Sequence, residues 1–258
     1  MSTLAYRVTP RGVLRSEWHK LWTVRSTWIT LALTSVVTIG VGLLIGATYK
    51  SGGGDGDVDT VLLVLLGMQF TQIIIGVLGI LLTAGEHSTG MIRSTMTAVP
   101  RRLPVLWSKA AVLGAVAFTV VLATNFLTFP LAQTLLAGTD QAASLTDPGI
   151  ARALVGNAAG LTLLAVMALG LGTLIRSVPG SIGAFIGGIL ILPEVVGAIP
   201  YDIAEDAVPY FPSKALDSLT HAHPTAEMAS QGPALLALAL WTAATLAVAA
   251  LLLKRRDV

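Results

Sequence analysis

Apolar and polar positions alternate along this chain in long blocks rather than at short periods. Six apolar runs lie near Ser26–Thr48, Val58–Ala84, Pro104–Ala137, Ile150–Ile175, Pro179–Ile199 and Pro233–Leu253, with short polar patches between them. Crossing a hydrocarbon core takes about 20 mostly apolar residues of helix. The pattern therefore predicts an all-α membrane protein, a single transmembrane domain over residues 1–258 with six transmembrane helices. The second and third runs exceed one bilayer thickness, which predicts tilt or projection into water. Pro130 is expected to kink or end the third. A loop over residues 85–103 joins the second and third spans, and a longer loop over residues 200–232 precedes the last.

Ahead of the first run, Leu14, Trp18, Leu21 and Trp22 recur at i, i+4, i+7 and i+8, one face of a helix. Arg11, Arg15 and His19 lie on another face. A basic amphipathic helix with tryptophans on its apolar side suits the membrane interface, so residues 11–25 are expected to lie there. A short helix packed on another element is the alternative. The first apolar run starts late and is too long for the core of a cleavable signal, so it is expected to be a retained span.

Composition sharpens this. Of 258 residues, 54% are hydrophobic and 12% charged, about half the charged share of an ordinary soluble domain. There is no cysteine, which excludes disulfides and thiolate chemistry. The net charge of +2 says little, but its distribution orients the chain. With the N-terminus in the cytoplasm, Lys50, Arg152 and Lys214 are the only members of the 16 Lys and Arg on the outer side. Of the 14 acidic residues, only Glu17, Glu86 and Asp257 then lie inside. Lys and Arg in short loops stay cytoplasmic. Six spans with both termini inside satisfy that bias, and an odd number would break it.

Few polar groups fall within the spans. Gln69 and Gln72 share a face of the second, Asn125 lies in the third and Asn157 near the start of the fourth. Amides at such depth face the bundle or a wet cavity. They line a translocation path or bond helix to helix, and the sequence leaves both open. Gly42 and Gly46, Gly156 and Gly160, and Gly183 and Gly187 are each four apart, a spacing that lets helices approach closely. Pro193-Glu194 interrupts the fifth run near its outer end, with Glu194 expected at the outer interface.

The loop Gly85-Glu-His-Ser-Thr-Gly-Met-Ile-Arg-Ser-Thr-Met-Thr-Ala-Val-Pro-Arg-Arg-Leu-Pro-Val-Leu-Trp-Ser-Lys109 is longer than a bare connector. Met91–Ala98 is expected to form a short surface helix, capped by Ser88 or Thr89 and stopped by Pro100. Met91, Ile92 and Met96 offer adaptable apolar contacts to a partner. A Glu86–Arg93 ion pair that merely shapes the loop is the plainer alternative. Arg101, Arg102 and Lys109 suit anchoring to anionic headgroups.

The acidic residue after the second span, then Ser88-Thr-Gly-Met-Ile-Arg93, then Pro100-Arg-Arg102, then Lys109 opening the third span, resembles the ABC-2 type permeases, above all actinobacterial ones. Ser16-Glu-Trp-His-Lys-Leu21 before the first span is similar to the same family, and the resemblance covers nearly the whole chain. It implies the six-helix ABC-2 fold of type V exporters in a bacterial inner membrane, with the Pro193-Glu194 break folding residues 201–231 back toward the membrane as re-entrant helices often do in that family. It also implies a second permease copy, as homodimer or heterodimer, and two P-loop ATPase subunits that carry ATP and Mg. Glu86, Gly90, Met91 and Arg93 would then belong to the coupling loop that touches those ATPases.

The chain itself has no P-loop, since the Gly52–Asp57 run lacks the lysine. No cofactor, metal site or nucleic-acid partner is expected on it, and covalent catalysis is not. His221 and His223 form only a faint metal candidate. Ser181 faintly resembles an intramembrane nucleophile, with no histidine in another span to activate it. A regulatory or immunity subunit of the same fold without transport, a secondary transporter, and a membrane enzyme, which would need a buried cluster of titratable groups that the sequence does not announce, are the competing functions.

Overall fold

The computed structural model describes residues 9–50, 58–88, 90–91, 102–199, 206–225 and 227–255. Among them every regular element is helical. α1 (Pro10–Thr23) starts where Thr9 Oγ1 accepts from Gly12 N at 3.2 Å and Pro10 pre-sets the first turn. A single residue, Val24, in extended conformation, separates it from α2 (Arg25–Thr48). α3 (Thr60–Val64) is capped by Asp59, whose carboxylate accepts from Val61 N and Leu62 N. Then come α4 (Met68–Leu81), α5 (Ala84–Ser88), α6 (Arg102–Leu136), α7 (Ile150–Ile175) and α8 (Val178–Gly197). α9 (Pro212–Thr220) and α10 (Gln231–Arg255) close the chain.

Among the described residues five helices, α2, α6, α7, α8 and α10, are long and apolar enough to cross a membrane. The protein is therefore a membrane-embedded helical bundle. The second expected span is not one helix. It is split at Leu65–Gly67, where tight i to i+3 bonds such as Met68 N to Leu65 O, 2.7 Å, replace the α-helical ladder. The cause is close approach to α2: a Cβ on Gly67 would lie 3.1 Å from Val37 O, and one on Gly42 would lie 2.8 Å from Val64 O. Pro130, by contrast, neither ends nor breaks α6, which runs through it to Leu136.

α7 is the centre. Its window is 67% buried, against 22% for α8 and α10. Its ends are set by backbone conformation: Gly149 at φ 87° before it, where a Cβ would lie 2.5 Å from Ala222 O, and Arg176 at φ 59° after it, donating to Gly172 O. α4 crosses α7 with the backbones in contact. A Cβ on Gly79 would collide with Ala165 O, and one on Gly172 with Thr83 Oγ1.

Two of the three expected glycine pairs serve such contacts. Gly42 and Gly46 seat α2 against Thr128 and Ala132 of α6, and Gly156 and Gly160 seat Leu219 and Leu216 of α9. Gly183 and Gly187 meet nothing within 4 Å. Leu216 touches Gly160 ten residues into α7, about 15 Å along it. The segment over 200–232, expected to fold back toward the membrane, contributes α9, which packs against α7.

Pro193 is accommodated inside α8 by a wider π-helical stretch over Ile186–Ile191. Proline lacks the N–H for the ladder and crowds the preceding turn, and the π turn takes up the mismatch.

Gly79→Leu is expected to destabilise the bundle by overpacking, about 1–3 kcal/mol or more. Gly183→Leu, with open space before it, is expected to leave stability unchanged. Thermal unfolding of the detergent-solubilised variants checks this, and equal midpoints for the two would refute the described crossing.

Candidate functional site

The helix ends bearing Thr23, Ser88 and Arg102 come together, and there the charges that the sequence scatters become one cluster. In α1, Val13, Glu17 and Leu21 recur every four residues and form its buried stripe. Leu14 and Trp18 stay over 40% exposed on the other side. Glu86 sits in α5, and Lys109 lies two turns into α6. The Lys109 ammonium is 2.8 Å from Glu17 Oε2 and 2.7 Å from Glu86 Oε1. Lys20 closes the group from the more exposed side, 2.9 Å from Glu17 and 3.4 Å from Glu86.

The relative exposures are 5% for Glu17, 8% for Glu86 and 6% for Lys109. Ions so buried persist only when paired and hydrogen-bonded. Among the described residues, two acids and two bases make up the group and balance in formal charge. Burial works against the charge of Lys20, but the hydrogen bond and charge of Glu17, helped by Glu86, raise its pKa above the ordinary lysine value.

Lys109 therefore does not reach headgroups as an anchor. Nor is Arg102 a simple anchor: its guanidinium donates to Leu253 O at 3.2 Å and ties α6 to the end of α10. Glu86 takes Lys109 and Lys20 as counterions. Arg93, its expected partner, lies outside the described residues, as do Arg101 and the helix expected over Met91–Ala98 apart from Met91.

After Glu86 the chain turns. Ser88 Oγ donates back to Gly85 O, Gly90 N donates to His87 O, and Gly90 adopts φ 74°. That left-handed conformation favours glycine. Met91 follows, 47% exposed. A cavity of about 290 Å³ opens between this turn and the α1–α2 joint, lined by the four charged residues, Leu21, Val24, Leu78, Met91 and Val112 among others. Nothing in this constellation is a nucleophile poised by a base. Its capacity is electrostatic and mechanical: it fixes where the Glu86–Met91 turn leaves the bundle.

The four amides separate into two pairs. Asn125 and Asn157 are each 1% exposed. Asn125 Nδ2 donates to Asn157 Oδ1 and to Leu154 O, both at 3.0 Å, and Asn157 Nδ2 donates to Thr220 Oγ1 at 3.0 Å. These bonds knit α6, α7 and α9 together.

Gln69 is exposed. It accepts from Gln72 Nε2 at 2.9 Å and donates to Asp217 Oδ1 at 3.4 Å, so it faces α9. Glu194 meets Lys214 of α9 at 2.6 Å. His221 bonds Asp217 O through Nδ1, and the His223 backbone N–H donates to Asp59. Among the described residues no group of three or more His, Cys, Asp or Glu is placed to hold a metal ion.

Glu17 and Lys20 are the site residues that sequence reasoning passed over. The signal was present: Glu17 is the only acid in a basic helix and falls on the Val13–Leu21 register. The tryptophan face drew attention to the wrong side.

No family model matches the chain, and no curated protein matches it.

Lys109→Met would leave two buried carboxylates facing each other, a loss of about 3–5 kcal/mol for breaking a buried ion pair. Asn125→Leu removes interhelical bonds worth about 1 kcal/mol in lipid. Chemical denaturation in detergent is expected to rank Lys109→Met well below Asn125→Leu, and the reverse order would contradict the described burial.

Proposed function

We propose that the chain is the transmembrane permease subunit of an ATP-driven ABC-2 type exporter. In this reading it crosses a bacterial inner membrane six times, with α3 and α4 together forming the second span and both termini cytoplasmic. The charge cluster then lies at the cytoplasmic face. A second permease copy completes the path, and two separate P-loop ATPase subunits bind ATP and Mg.

The observation that carries the reading is the Glu86–Met91 turn. Its root is held by the buried ion pair of Glu86 with Lys109, while Met91 after Gly90 is exposed. A docking element needs that combination: a fixed base that transmits force, and an adaptable apolar contact for the partner. The loop is also where the chain resembles ABC-2 permeases most closely. Glu86, Gly90, Met91 and Arg93 take the coupling role. Among the amides, Gln69 and Gln72 remain candidates for the path, while Asn125 and Asn157 serve helix packing in this conformation. That sealed asparagine pair is also what a non-transporting regulatory or immunity subunit of the same fold would show, and it is the one specific observation favouring that second reading.

Purification of the tagged chain from its native membrane is expected to recover a P-loop ATPase. Glu86→Ala and Arg93→Ala are expected to lower the ATPase activity of that complex several-fold while membrane insertion stays intact. A stable chain that never recruits such an ATPase, or full activity in both variants, would sink the permease reading. ATPase recruitment without any transport, tested in vesicles, would favour the regulatory subunit. Because the chain lacks cysteine, topology can be read on a clean background. Asp55→Cys should react with a membrane-impermeant maleimide from outside, and Met91→Cys only after the membrane is opened.

A further inference from the structure

We propose that the exported substrate is an amphipathic organic cation, and that its ammonium group binds at Asp217 of α9, with Gln72 and Ser213 as further acceptors. The proposal rests on the permease reading for the transport itself and adds the class of substrate. The binding is testable on the chain alone.

A polar stripe crosses three elements on one side of the bundle. On α4, Gln72 Nε2 donates to Gln69 Oε1 at 2.9 Å, and Gln69 Nε2 donates to Asp217 Oδ1 of α9 at 3.4 Å. Lys214 of α9 reaches Glu194 of α8 at 2.6 Å. Gln69 and Glu194 are exposed, and Asp217 and Lys214 partly so. Yet α9 is seated deep, with Leu216 and Leu219 against glycines of α7. Charged side chains at such depth do not face lipid but a bundle interior or a water-filled space. The stripe therefore marks the wet side of the molecule.

Within the stripe, acceptors outnumber donors. Lys214 precedes Asp217 by three residues, but its ammonium goes to Glu194. Among the described residues Asp217 has no ion-pair partner, and its bond from Gln69 is long. Two further polar atoms near it are unsatisfied. Gln72 Oε1 and Ser213 Oγ have no hydrogen-bond partner among the described residues, on side chains only 5% and 8% exposed. Gln72 joins the carboxylate through Gln69, and Ser213 lies one turn before Asp217 on the same helix face. Buried polar atoms left unpaired are costly, so a ligand that supplies donors is favoured there. An amide oxygen and a carboxylate only accept, and a hydroxyl can accept. A protonated amine brings both the N–H donors and the positive charge.

The surroundings fit that choice. Burial pushes the Asp217 carboxyl up to about 6, against the pull of Lys214, His221 and the Gln69 hydrogen bond and with a small push from Glu194. At neutral pH it is ionised but poorly compensated, and a cation relieves this. Those are the charges that bear on it; α7 and α10, which also pack on α9, add none. Leu66, three residues before Gln69, and Ile191, three before Glu194, are 41% and 53% exposed. They offer apolar surface to the body of the ligand, which a bare inorganic cation would leave unused.

The test measures binding of tritiated propranolol, a secondary ammonium on a naphthalene ring, to the full-length chain in phosphatidylcholine nanodiscs. Saturable binding is expected. Tetraphenylphosphonium, a cation without N–H, should displace it, and naproxen, a carboxylate on the same ring, should not. Asp217→Asn is expected to weaken both cations by about tenfold or more. Gln72→Leu should weaken propranolol several-fold and tetraphenylphosphonium hardly at all, since only the first donates a hydrogen bond. Lowering the pH from 7.5 to 5 protonates the carboxyl while the amine stays charged, so affinity should fall about tenfold. His221→Gln should keep that fall, and Asp217→Asn should abolish it. No saturable propranolol binding, displacement by naproxen, or full affinity in Asp217→Asn would overturn the proposal. Should Asp217→Asn fail to fold, the charge selectivity and pH profile of the unaltered chain decide, together with Gln72→Leu. Failure here leaves ATPase recruitment, and so the permease reading, untouched. A chain that binds propranolol through Asp217 yet recruits no ATPase keeps the site and loses the transport role.

Discussion

One ammonium group, that of Lys109, organises the end of the bundle where function is proposed. It lies almost wholly out of water between Glu17 and Glu86, which come from two elements far apart in the chain. Such a group tolerates little rearrangement. Withdrawing either carboxylate leaves charge uncompensated in a medium that solvates it poorly, and replacing the lysine leaves two acids facing each other. The positions of α1, α5 and the first turns of α6 are therefore mutually dependent. Lys20, half in the cluster and half out, completes the balance of charge among the described residues from the more open side.

The rest of the bundle is held by a different logic. Between helices in lipid, burial of apolar surface gives little preference for one partner over another, so close backbone contact and hydrogen bonds decide the packing. Both occur around α7. Gly79, Gly156, Gly160 and Gly172 let α4 and α9 approach it until a side chain would not fit. Asn125, Asn157 and Thr220 link three helices, and hydroxyl pairs such as Thr38 with Thr71 and Ser35 with Thr124 do the same for α2. The charged end thus sits on a core fixed by close backbone contacts and interhelical hydrogen bonds, as the proposed docking role of the turn requires.

α8 stands apart from this core. It is little buried, carries the unfilled Gly183–Gly187 face, and contains a π-helical stretch ahead of Pro193. Its link to α9 through Glu194 and Lys214 is a partly exposed ion pair, weaker by nature than the buried one around Lys109. The molecule therefore has a tightly specified side and a more loosely held side.

The sequence by itself determined what depends on length, sign and period. Long apolar runs specify helices, and the bounds of Ile150–Ile175 follow directly from residues such as Gly149 before it. The amphipathic α1 and the lopsided placement of Lys and Arg are legible in the same way. The loop after α4 could be singled out from its composition and family likeness. Three things were decided only by the tertiary structure, each because it depends on neighbours distant in the chain. Leu65–Gly67 breaks the second apolar run because α2 presses against it, which no local propensity announces. The segment expected to fold back after Pro193 seats α9 against Gly156 and Gly160 in particular, because those glycines leave room for it. Lys109 turns inward rather than toward headgroups because Glu17, on a helix that reads as a surface anchor, is waiting there. A lone charge in a sequence carries no sign of its counterion, and only the fold shows whether water or a carboxylate provides it.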